Sequence, residues 1–422
     1  SATKLNQANI PSHHISIKTS ALTPHFNEDP EAFDFVYQDI KPRFLQLFSA
    51  AEKYKTYLNF DAEHYHYREL TINLIFYFLE EHKQFNYFSS FGFVVQAYLK
   101  DSHLHLEKLL KKAKKRAHAI PLRLVKGAYW DAETIDAKAK NYESPQFLNK
   151  VETDIQYRHL VHVILKEHKA FQLCIASHNV DDHCYAEAVR EVYYPHAPVI
   201  EHQTLHMTYE PLSMAVAKFG WPMRNYLPTG SLLVGMGYLV RRIMENASQT
   251  GVLTATRHHH FSNEYVSLTD ELLLKIKTKS YQTDPATDIV TSNFKPNNTS
   301  HFFLEQEQEY FLSAKIDDYV KEANNTSALI PIYSKFNDNQ ALGKIHFQNA
   351  ADANLAIARA TAAKGIWCAT STQDRALFLK ITAQLMRLEK FSLSKLIMIE
   401  AGKTKLEALG DVDEAIDFLN YY

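Results

Sequence analysis

The sequence predicts an α/β protein built on a parallel β-sheet, and two observations support this prediction. Within residues 13–256, short runs rich in β-branched and aromatic residues alternate with longer helical stretches. This alternation is typical of βαβ crossovers, which join neighbouring parallel strands. Glycine is scarce, at 11 of the 422 residues, which indicates few tight turns and long helices between the strands.

The candidate strands follow one another along this part of the chain. They lie at residues 15–22, 57–61, 91–99, 122–126, 171–176, 199–205 and 224–227, and an eighth candidate lies at 251–254. Helical stretches such as 31–55 and 150–169 fill the intervals between them. Parallel strands in this number can close into a barrel or form an open, doubly wound sheet. The periodicity of the sequence does not separate these two architectures.

Two further regions have different patterns. Residues 257–326 are mostly polar and lack strand patterning, so we interpret them as a linker that holds a helix or two. From residue 327, a strand pair around an asparagine-rich turn is followed by helical sequence. We predict these helices at 349–364, 374–389 and 392–400, with a last helix that ends near Tyr422.

The composition excludes several classes of protein. The chain carries 46 basic and 48 acidic side chains and no basic tract, which argues against a dedicated nucleic-acid binder. An apolar fraction of 46% excludes global disorder. The cysteines Cys174, Cys184 and Cys368 show no CxxC spacing, which excludes a disulfide scaffold and suits a reducing, cytoplasmic compartment. No apolar run approaches the roughly 18 residues of a membrane helix.

Polar side chains interrupt or end strands that a parallel sheet would bury. They are Lys18, Asp61, Glu63, Gln96, Arg123 and Lys126. Buried parallel strands are normally near-continuous apolar runs, and burying an unpaired charge costs several kcal/mol. These side chains therefore either pair with one another or face a site. Functional groups in barrels and doubly wound sheets gather at the carboxyl ends of strands. Four candidates fall at such ends: Asp61, Lys126, His178 and Asn179.

The helix predicted at residues 231–247 carries an apolar stripe and a polar stripe. The polar stripe consists of Tyr238, Arg241, Arg242 and Glu245 at helical spacing. Two adjacent guanidinium groups can hold one carboxylate through bidentate hydrogen bonds, and Glu245 can hold Arg241 from one turn away. The alternative is a solvated helix face with an i,i+4 salt bridge, and spacing by itself favours that alternative.

Other motifs point to neither a metal nor a nucleotide. Three adjacent histidines at 258–260 cannot all face one ion from a regular element, so we predict a solvated loop and no metal site. The Gly235-x-Gly237 pair lies inside the predicted helix, and Val240 stands where a dinucleotide fingerprint has its third glycine.

Several strings resemble, in this order, the proline dehydrogenase domain of the bifunctional proline utilization A (PutA) flavoenzymes. They are ISIKTSAL, FDAE, GFVVQAY, RLVKGAYWD, TDIQY, ASHN, RNYLPTG and YLVRRIMEN. The resemblance covers residues 13–256. Residues 350–422, with EAGKT and EAIDFLNYY, resemble the opening of the aldehyde dehydrogenase domain that follows in the same family.

The resemblance implies a fold and an activity. Residues 13–256 would form a distorted (β/α)8 TIM barrel that holds FAD, with its last helix over the barrel mouth. Residues 257–326 would be a helical linker, and residues 327–422 a truncated N-terminal part of the aldehyde dehydrogenase domain. The implied reaction oxidises L-proline to Δ1-pyrroline-5-carboxylate by hydride transfer to the flavin N5, with electrons passed to a quinone. Peripheral membrane association is implied, and the oligomeric state stays open.

The resemblance also assigns residues by matching position. The substrate side comprises Lys18, Asp61, Arg123, Tyr129, Leu205, Tyr226, Tyr238, Arg241, Arg242 and Glu245. The cofactor side comprises Val94, Gln96, Arg123, Lys126, Gly127, Trp130, His178, Asn179 and Gln203. Arg241 and Arg242 would bind the proline carboxylate, and Arg123 would lie near the flavin N5. The alternative for Arg123 is a structural ion pair with a carboxylate such as Asp61 or Glu63.

The chain departs from the family pattern on the adenine and phosphate side of the expected flavin site. Residues 205–208 read LHMT in place of LHGM, and 148–149 read LN in place of a threonine–arginine pair. Ser177 replaces a threonine, and TGVLTA stands in place of TSFVNR. A non-catalytic barrel that binds flavin weakly is therefore the alternative function. We expect no aldehyde dehydrogenase activity, since Cys368 lies in helical sequence without a partner base.

Overall fold

A computed structural model describes residues 13–27, 29–85, 88–139, 142–206, 208–247, 297, 300, 305–316, 329–335, 341–346 and 348–422. The chain divides into two compact units, Ser1–Ile135 with Ser144–Thr287 and Asp136–Glu143 with Asp288–Tyr422. The division at 287–288 falls within the predicted linker, whereas the assignment of Asp136–Glu143 to the second unit does not follow the predicted domains. The domain boundaries themselves stay a prediction. In the described part of the chain, no helix combines the length and the apolar character needed to cross a membrane.

Seven parallel strands form the sheet of the first unit. They are β1 (His14–Ile17), β2 (Tyr57–Phe60), β3 (Phe91–Gln96), β4 (Ile120–Val125), β5 (Phe171–Ala176), β6 (Glu201–Leu205) and β7 (Met223–Tyr226). Their order in the sheet is their order in the chain, and each strand pairs in parallel with the next. The parallel sheet that the sequence predicts is thus confirmed. The eighth candidate strand, at 251–254, lies outside the described residues.

The sheet curls in the manner of a barrel. In a flat sheet, β2 and β7 would lie five strand spacings apart, roughly 24 Å. The Tyr226 Oη at the end of β7 nevertheless donates to the Asp61 Oδ2, directly after β2, across 3.1 Å. Two side chains can meet across that interval only if the sheet bends back on itself. The barrel is therefore the correct choice between the two architectures that the periodicity allows.

Side chains alternate along the strands between the helix-covered face and the barrel interior. On β4, Leu122 and Leu124 are buried in the hydrophobic core. Arg123 lies between them, and its Nε donates to the Gln203 Oε1 of β6. Because the side-chain period of a strand is two, apolar outer positions frame each polar inner position. This explains why apolar strand sequences carry single polar interruptions.

Eight α-helices lie among the described residues of 13–247. They are α1 (Phe33–Tyr54), α2 (Arg68–Glu81), α3 (Ser102–Ala113), α4 (Trp130–Ala139), α5 (Lys150–Lys166), α6 (Val180–Tyr193), α7 (Glu210–Lys218) and α8 (Leu232–Ala247). Asn149 and Asn179 begin α5 and α6 as caps, because each side chain accepts a hydrogen bond from the N–H two residues later.

The core of this unit lies between the helices and the outer face of the sheet. On α1, the buried residues Ile40, Phe44 and Phe48 recur at a spacing of four, which places them on one helix face. Phe44 and Phe48 contact Phe60 of β2 with ring centroids about 6 Å apart. Phe78 of α2 joins the same aromatic cluster. Large aromatic side chains thus fix the helices on the sheet.

The first strand is shorter than the sequence predicts. β1 ends at Ile17, and Thr19–Leu22 forms a 3-10 helix instead of continuing the strand. The Glu63 carboxylate accepts from the Ser20 N–H at 3.1 Å and from the Ser20 hydroxyl. These bonds give the segment partners outside the sheet ladder. Lys18 consequently lies directly at the carboxyl end of β1.

The second unit contains a hairpin and helices among its described residues. They are β8 (Leu329–Tyr333), β9 (Ala341–His346), α9 (Glu305–Ser313), α10 (Ala350–Ala369), α11 (Thr372–Leu388), α12 (Lys390–Ala401) and α13 (Lys405–Tyr421). β8 and β9 pair antiparallel, which confirms the predicted strand pair. The asparagine-rich turn lies outside the described residues. A buried ion pair joins α12 to α13, with Lys390 Nζ 2.6 Å from Asp413 Oδ1.

Candidate active site

Arg123 occupies the centre of a polar cluster inside the barrel. Its Nη1 donates to the Asp61 Oδ1 at 2.7 Å, its Nε to the Gln203 Oε1 at 2.7 Å, and its Nη2 to the Ser16 Oγ at 2.9 Å. The Arg123 side chain is buried and pairs with Asp61 as a salt bridge. Arg123 therefore joins residues of β1, β4 and β6 to the segment after β2.

A continuous line of contacts leads from this cluster to α8. The Asp61 Oδ2 accepts from the Tyr226 hydroxyl, and the Tyr226 ring stacks on Tyr238 of α8 with centroids 6.3 Å apart. The Arg242 guanidinium lies over the Tyr238 ring, 5.3 Å from its centroid. Burial, reinforced by the Asp61 carboxylate, raises the pKa of Tyr226 above its ordinary value. Tyr226 therefore stays a neutral donor to Asp61.

Lys18 lies beside Asp61 at the same edge of the sheet. The Asp61 N–H donates to the Ile17 carbonyl at 2.9 Å, which places the two segments next to each other. The Lys18 Nζ donates to the Tyr129 hydroxyl at 3.2 Å. The His64 ring contacts the Tyr129 ring, with centroids 4.5 Å apart. The Lys18 ammonium group and the rings of Tyr129 and His64 thus lie together beside the segment that Asp61 begins.

Lys126 belongs to a separate cluster of charges at the end of β4. Its Nζ lies 2.6 Å from the Asp154 Oδ1 of α5 and 3.1 Å from the Asp182 Oδ2 of α6. Burial acts to lower the pKa of Lys126, but the two carboxylates together raise it to about 12. Lys150 also pairs with Asp154 at 2.6 Å. Lys126 is therefore a permanent cation that joins two helices to the sheet.

A short turn after β5 carries His178 and Asn179. The Ser177 Oγ accepts from the Asn179 N–H at 3.0 Å and donates to the Asp182 Oδ2 at 2.7 Å. The His178 Nε2 accepts from the Leu205 N–H at 3.1 Å, so this ring nitrogen is unprotonated. The turn is thereby bonded to the end of β6, and three predicted site residues lie together there.

The remaining cofactor-side candidates line β3 and the segment after β4. Val94 pairs in register with Arg123 across the sheet. Gln96 is buried and donates to the Glu63 carbonyl at 3.4 Å. Gly127 has a φ of 149°, and a Cβ at that position would overlap the Tyr98 ring. Trp130 is exposed, and its Nε1 donates to the Phe147 carbonyl at 2.9 Å.

The structure gathers some of the predicted residues and separates others. One group contains Asp61, Arg123, Gln203, Tyr226, Tyr238 and Arg242. Lys126 and Trp130 make their described contacts elsewhere. The side chains of Arg241 and Glu245 lie outside the described part of the structure. No group of three or more His, Cys, Asp and Glu side chains is arranged to hold a metal among the described residues.

Sequence reasoning missed a second ion pair inside the barrel, between buried Glu201 and partly exposed Arg224. The Arg224 Nε of β7 donates to the Glu201 Oε1 of β6 at 2.7 Å. His14 of β1 lies near this pair, and burial, together with Arg123 and Arg224, lowers its pKa to about 2. Part of the signal was in the sequence, because Glu201 lies inside the candidate strand 199–205 and Arg224 begins the candidate strand 224–227. The partners of Lys126, on helices, carried no such signal.

Fold and site together define a parallel α/β barrel protein whose polar cluster lies at the carboxyl ends of the strands, where barrel enzymes place their active sites. The proline dehydrogenase family model matches residues 1–255, and the chain belongs to this family. The aldehyde dehydrogenase family model matches residues 319–422.

Individual relatives agree with the family assignment. The bifunctional protein PutA of Klebsiella aerogenes is 28% identical over 435 residues, covering 97% of this chain and 33% of its own length. The hydroxyproline dehydrogenase of Bos taurus is 31% identical over 161 residues, 36% of this chain and 34% of its own length. A crystal structure of proline utilization A from Bdellovibrio bacteriovorus matches with a TM-score of 0.85 and 28% identity, covering 98% of this chain and 43% of that chain. The chain thus spans about a third of the bifunctional relative.

Proposed function

We propose that the barrel oxidises L-proline to Δ1-pyrroline-5-carboxylate with FAD as its cofactor. The observation that carries this proposal is the line of contacts from Arg123 through Asp61, Tyr226 and Tyr238 to Arg242. It brings cations, a carboxylate and aromatic faces to the carboxyl edge of the sheet. Membership of the proline dehydrogenase family gives this chemistry its expected substrate.

The side chains at this edge suit a small zwitterionic amino acid. Arg242 and Lys18 can bind its carboxylate, Arg242 through a planar fork and Lys18 as a point charge. The faces of Tyr226 and Tyr238 and the side chain of Leu205 can enclose an apolar five-membered ring. Arg241 and Glu245 complete this set by the position that the family resemblance gives them.

The cofactor-side residues offer the mixed donors and acceptors that a flavin ring requires. The amides of Gln96 and Gln203 can donate and accept, and Arg123 adds a fixed cation. Val94, Gly127, Trp130, His178 and Asn179 complete the set on which the proposal relies, and Lys126 retains a third N–H beyond its two carboxylates. FAD, when bound, supplies the acceptor for the hydride of proline. A cation held at the reacting edge favours the charge that accumulates there.

The proposal also covers the electron acceptor and the cellular location of the protein. We assign a quinone as acceptor and a peripheral position at the inner face of a membrane, in keeping with a cytoplasmic protein. Proline over hydroxyproline is part of the same proposal and rests on the apolar wall that Tyr226 and Tyr238 form. The hydroxyproline dehydrogenase that matches 36% of this chain makes hydroxyproline the competing substrate. Whether copies of the chain associate is a separate matter that the proposal leaves open.

For residues 327–422 we propose no aldehyde dehydrogenase activity. Such enzymes need a cysteine nucleophile and a parallel βαβ unit that binds the nicotinamide cofactor. The two strands described in this region pair antiparallel. Cys368 lies exposed on α10. NAD-dependent oxidation of glutamate semialdehyde by this chain would overturn this part of the proposal.

The test is an assay of the purified chain with proline and a reducible dye, alongside its visible absorption spectrum. We expect a yellow protein that reduces the dye with proline faster than with hydroxyproline. Arg242→Met should raise KM for proline on the order of 10–100-fold, because a charge-assisted hydrogen bond is worth roughly 1.5–3 kcal/mol. Its flavin content should stay that of the parent chain.

Arg43→Met serves as the control, since Arg43 lies on exposed α1 surface and should leave KM unchanged. A colourless protein that is inactive even with added FAD would favour the non-catalytic barrel instead. Loss of flavin with an unchanged KM in Arg242→Met would show that Arg242 faces the cofactor and not the substrate.

A further inference from the structure

Three buried side chains form a hydrogen-bonded network behind the turn that carries His178 and Asn179. The His183 Nδ1 of α6 lies 2.9 Å from the His202 Nδ1 of β6, and the His202 Nε2 lies 3.0 Å from the Glu187 Oε1 of α6. His183, His202 and Glu187 are 0%, 0% and 3% exposed. We call these three residues the His–His–Glu network.

The network ends on the backbone of the turn at one side and at the surface on the other. The His183 Nε2 lies 2.9 Å from the Ser177 carbonyl oxygen. At the opposite end, the Arg190 Nε donates to the Glu187 Oε2 at 2.7 Å. Three hydrogen bonds therefore run in series from the Ser177 carbonyl to the Glu187 carboxylate.

Counting protons shows that neutral histidines cannot make all three bonds. A carbonyl oxygen only accepts, so His183 must carry its proton on Nε2 and accept at Nδ1. His202 must then donate from Nδ1. If Glu187 is ionised, it only accepts, and His202 must donate from Nε2 as well. Three bonds need three protons, whereas two neutral imidazoles and a carboxylate supply two.

The surroundings of Glu187 and His183 leave His202 as the member of the network that can carry the additional proton. Burial acts to raise the pKa of Glu187, but hydrogen bonds from His202 and Arg190 lower it below its ordinary range, so Glu187 is a carboxylate. Burial and the neighbouring His202 lower the pKa of His183 to about 4, so His183 is neutral. Trp221 stacks on the His202 ring with centroids 5.0 Å apart, and an indole face stabilises a cation.

The other charged groups near the network have their own partners and do not take the place of Glu187 beside His202. Asp182 pairs with Lys126 and accepts from Ser177, and Arg190 also contacts Glu191 at 3.3 Å. His178 acts on His183 only as a further electrostatic neighbour. The carboxylate in direct contact with His202 is that of Glu187.

We infer that His202 is a buried imidazolium, and that through His183 it positions the Ser177–Asn179 turn. With all three protons present, the Ser177 carbonyl is held by His183 while His178 binds the Leu205 N–H. Removal of the third proton leaves two acceptors facing each other at 2.9–3.0 Å, which breaks one bond of the series. The consequence for catalysis rests on the proposed function, because His178 and Asn179 are cofactor-side residues only under that proposal.

Glu187→Gln is the decisive variant, because the amide satisfies the same bonds with one proton fewer. The Gln oxygen can accept from Arg190, and its NH2 group can donate to the His202 Nε2. His202 then needs only one proton, on Nδ1. NMR of the full chain labelled with ¹⁵N-histidine, at pH 7.5, should show His202 with both ring nitrogens protonated in the parent chain. In Glu187→Gln, it should show a neutral His202.

Stability measurements test the same proton without spectroscopy. Above about pH 7 an unfolded histidine is neutral, so a native chain that holds His202 as an imidazolium binds one proton more than its unfolded state. The unfolding equilibrium constant of the parent chain should therefore rise tenfold per pH unit relative to that of Glu187→Gln. Glu191→Gln, on the same helix and largely exposed, is the matched control and should keep the pH dependence of the parent chain.

A neutral His202 in the parent chain at pH 7.5 would overturn the inference, as would equal pH dependence of stability in the parent chain and Glu187→Gln. His202→Gln assigns the NMR signals by their loss. If the chain binds flavin, its flavin Kd should weaken with rising pH in the parent chain and less so in Glu187→Gln; equal profiles would overturn the positioning role. If the chain binds no flavin, the proposed function fails, while the proton result is still decided by NMR.

Discussion

At the scale of single residues, the guanidinium of Arg123 connects several strands of the barrel through hydrogen bonds. It binds Ser16, Asp61 and Gln203 in a buried position. Arg123→Met should lower the free energy of unfolding by about 3–5 kcal/mol, because Asp61 would keep its charge without its partner. Urea unfolding of the purified variant measures this loss.

Two further variants show whether Arg123→Met loses stability because the ion pair is broken or because position 123 tolerates no substitution. Arg43→Met removes an exposed guanidinium that lies 3.6 Å from Asp39, and it should cost less than about 1 kcal/mol. The double variant Asp61→Asn/Arg123→Met should recover part of the stability that Arg123→Met loses, since it removes both charges of the Arg123–Asp61 pair. A loss in Arg123→Met no larger than that of Arg43→Met would contradict the buried pair.

The sequence predicts that Arg123 needs a partner, but it does not choose between Asp61 and Glu63. Both carboxylates follow the same strand and are two residues apart. The structure gives Asp61 to Arg123 and Glu63 to Ser20. That choice depends on the 3-10 helix after β1, whose path is set by contacts distant in sequence. The predicted pairing of Arg123 with a carboxylate is therefore confirmed. The role of Arg123 beside a flavin stays a prediction.

At the scale of elements, Gly127 lies between β4 and α4 and allows the backbone there to pass close to the Tyr98 ring. Its φ is 149°, and a Cβ would overlap the Tyr98 ring. Gly127→Ala should therefore destabilise the fold through backbone strain of about 1–3 kcal/mol and overpacking of about 1–3 kcal/mol. Gly220→Ala is the control, because φ is 83° there and the added Cβ meets open space. Equal losses of thermal stability in the two variants would show that the Tyr98 contact is immaterial.

The Lys126 cluster joins α5 and α6 to the end of β4, and it predicts a pH dependence. Burial acts to raise the pKa of Asp154, but Lys126 and Lys150 hold it below its ordinary value. A depressed folded pKa contributes stability above the unfolded value of about 3.9 and loses it as the pH falls. Asp154→Asn should cost about 1.5–3 kcal/mol at pH 7, and this cost should shrink below pH 4.

Urea unfolding at pH 7 and pH 3.5 measures the two costs. Glu167→Gln is the matched control, since it removes the partly exposed carboxylate that pairs with exposed Lys114 at 3.3 Å. It should cost less than about 1 kcal/mol at either pH. If Asp154→Asn is equally destabilising at both pH values, the carboxylate stabilises the helices by packing and not by charge.

Strand positions were predictable from sequence to within a few residues, while the end of β1 and the side-chain networks were not. β5 begins and ends where the pattern predicts, at Phe171 and Ala176. β1 ends early because Glu63 bonds the backbone of the following segment. The His–His–Glu network was not predicted because His183 and Glu187 lie on α6, whereas His202 lies on β6 and has no local spacing that links it to them. Only the packing of α6 on β6 brings them together.

At the scale of the whole molecule, closure of the sheet depends on contacts that local sequence cannot encode. An open sheet and a barrel use the same alternation of strands and helices. The bond from Tyr226 to Asp61 spans 165 residues of sequence. Long-range polar contacts inside the barrel, and not strand propensity, therefore distinguish the two architectures. The resemblance to a barrel family supplied this information where the periodicity did not.

The second unit should open more readily than the first, and α10 is where this difference is expected to be largest. All residues of α10 are described, and none is buried within the described structure. Its apolar residues Ile357, Ile366 and Trp367 are 63%, 79% and 50% exposed. A helix with few buried contacts opens at a low free energy, and a difference of about 1.4 kcal/mol changes the opened population tenfold. Limited trypsin digestion should therefore cut after Arg359 or Lys364 at least about tenfold faster than after Arg158 of buried α5, as followed by mass spectrometry. Equal cleavage rates, or protection of α10, would show that another surface covers these apolar side chains in solution. If that surface belongs to a second copy of the chain, the protection should weaken on dilution.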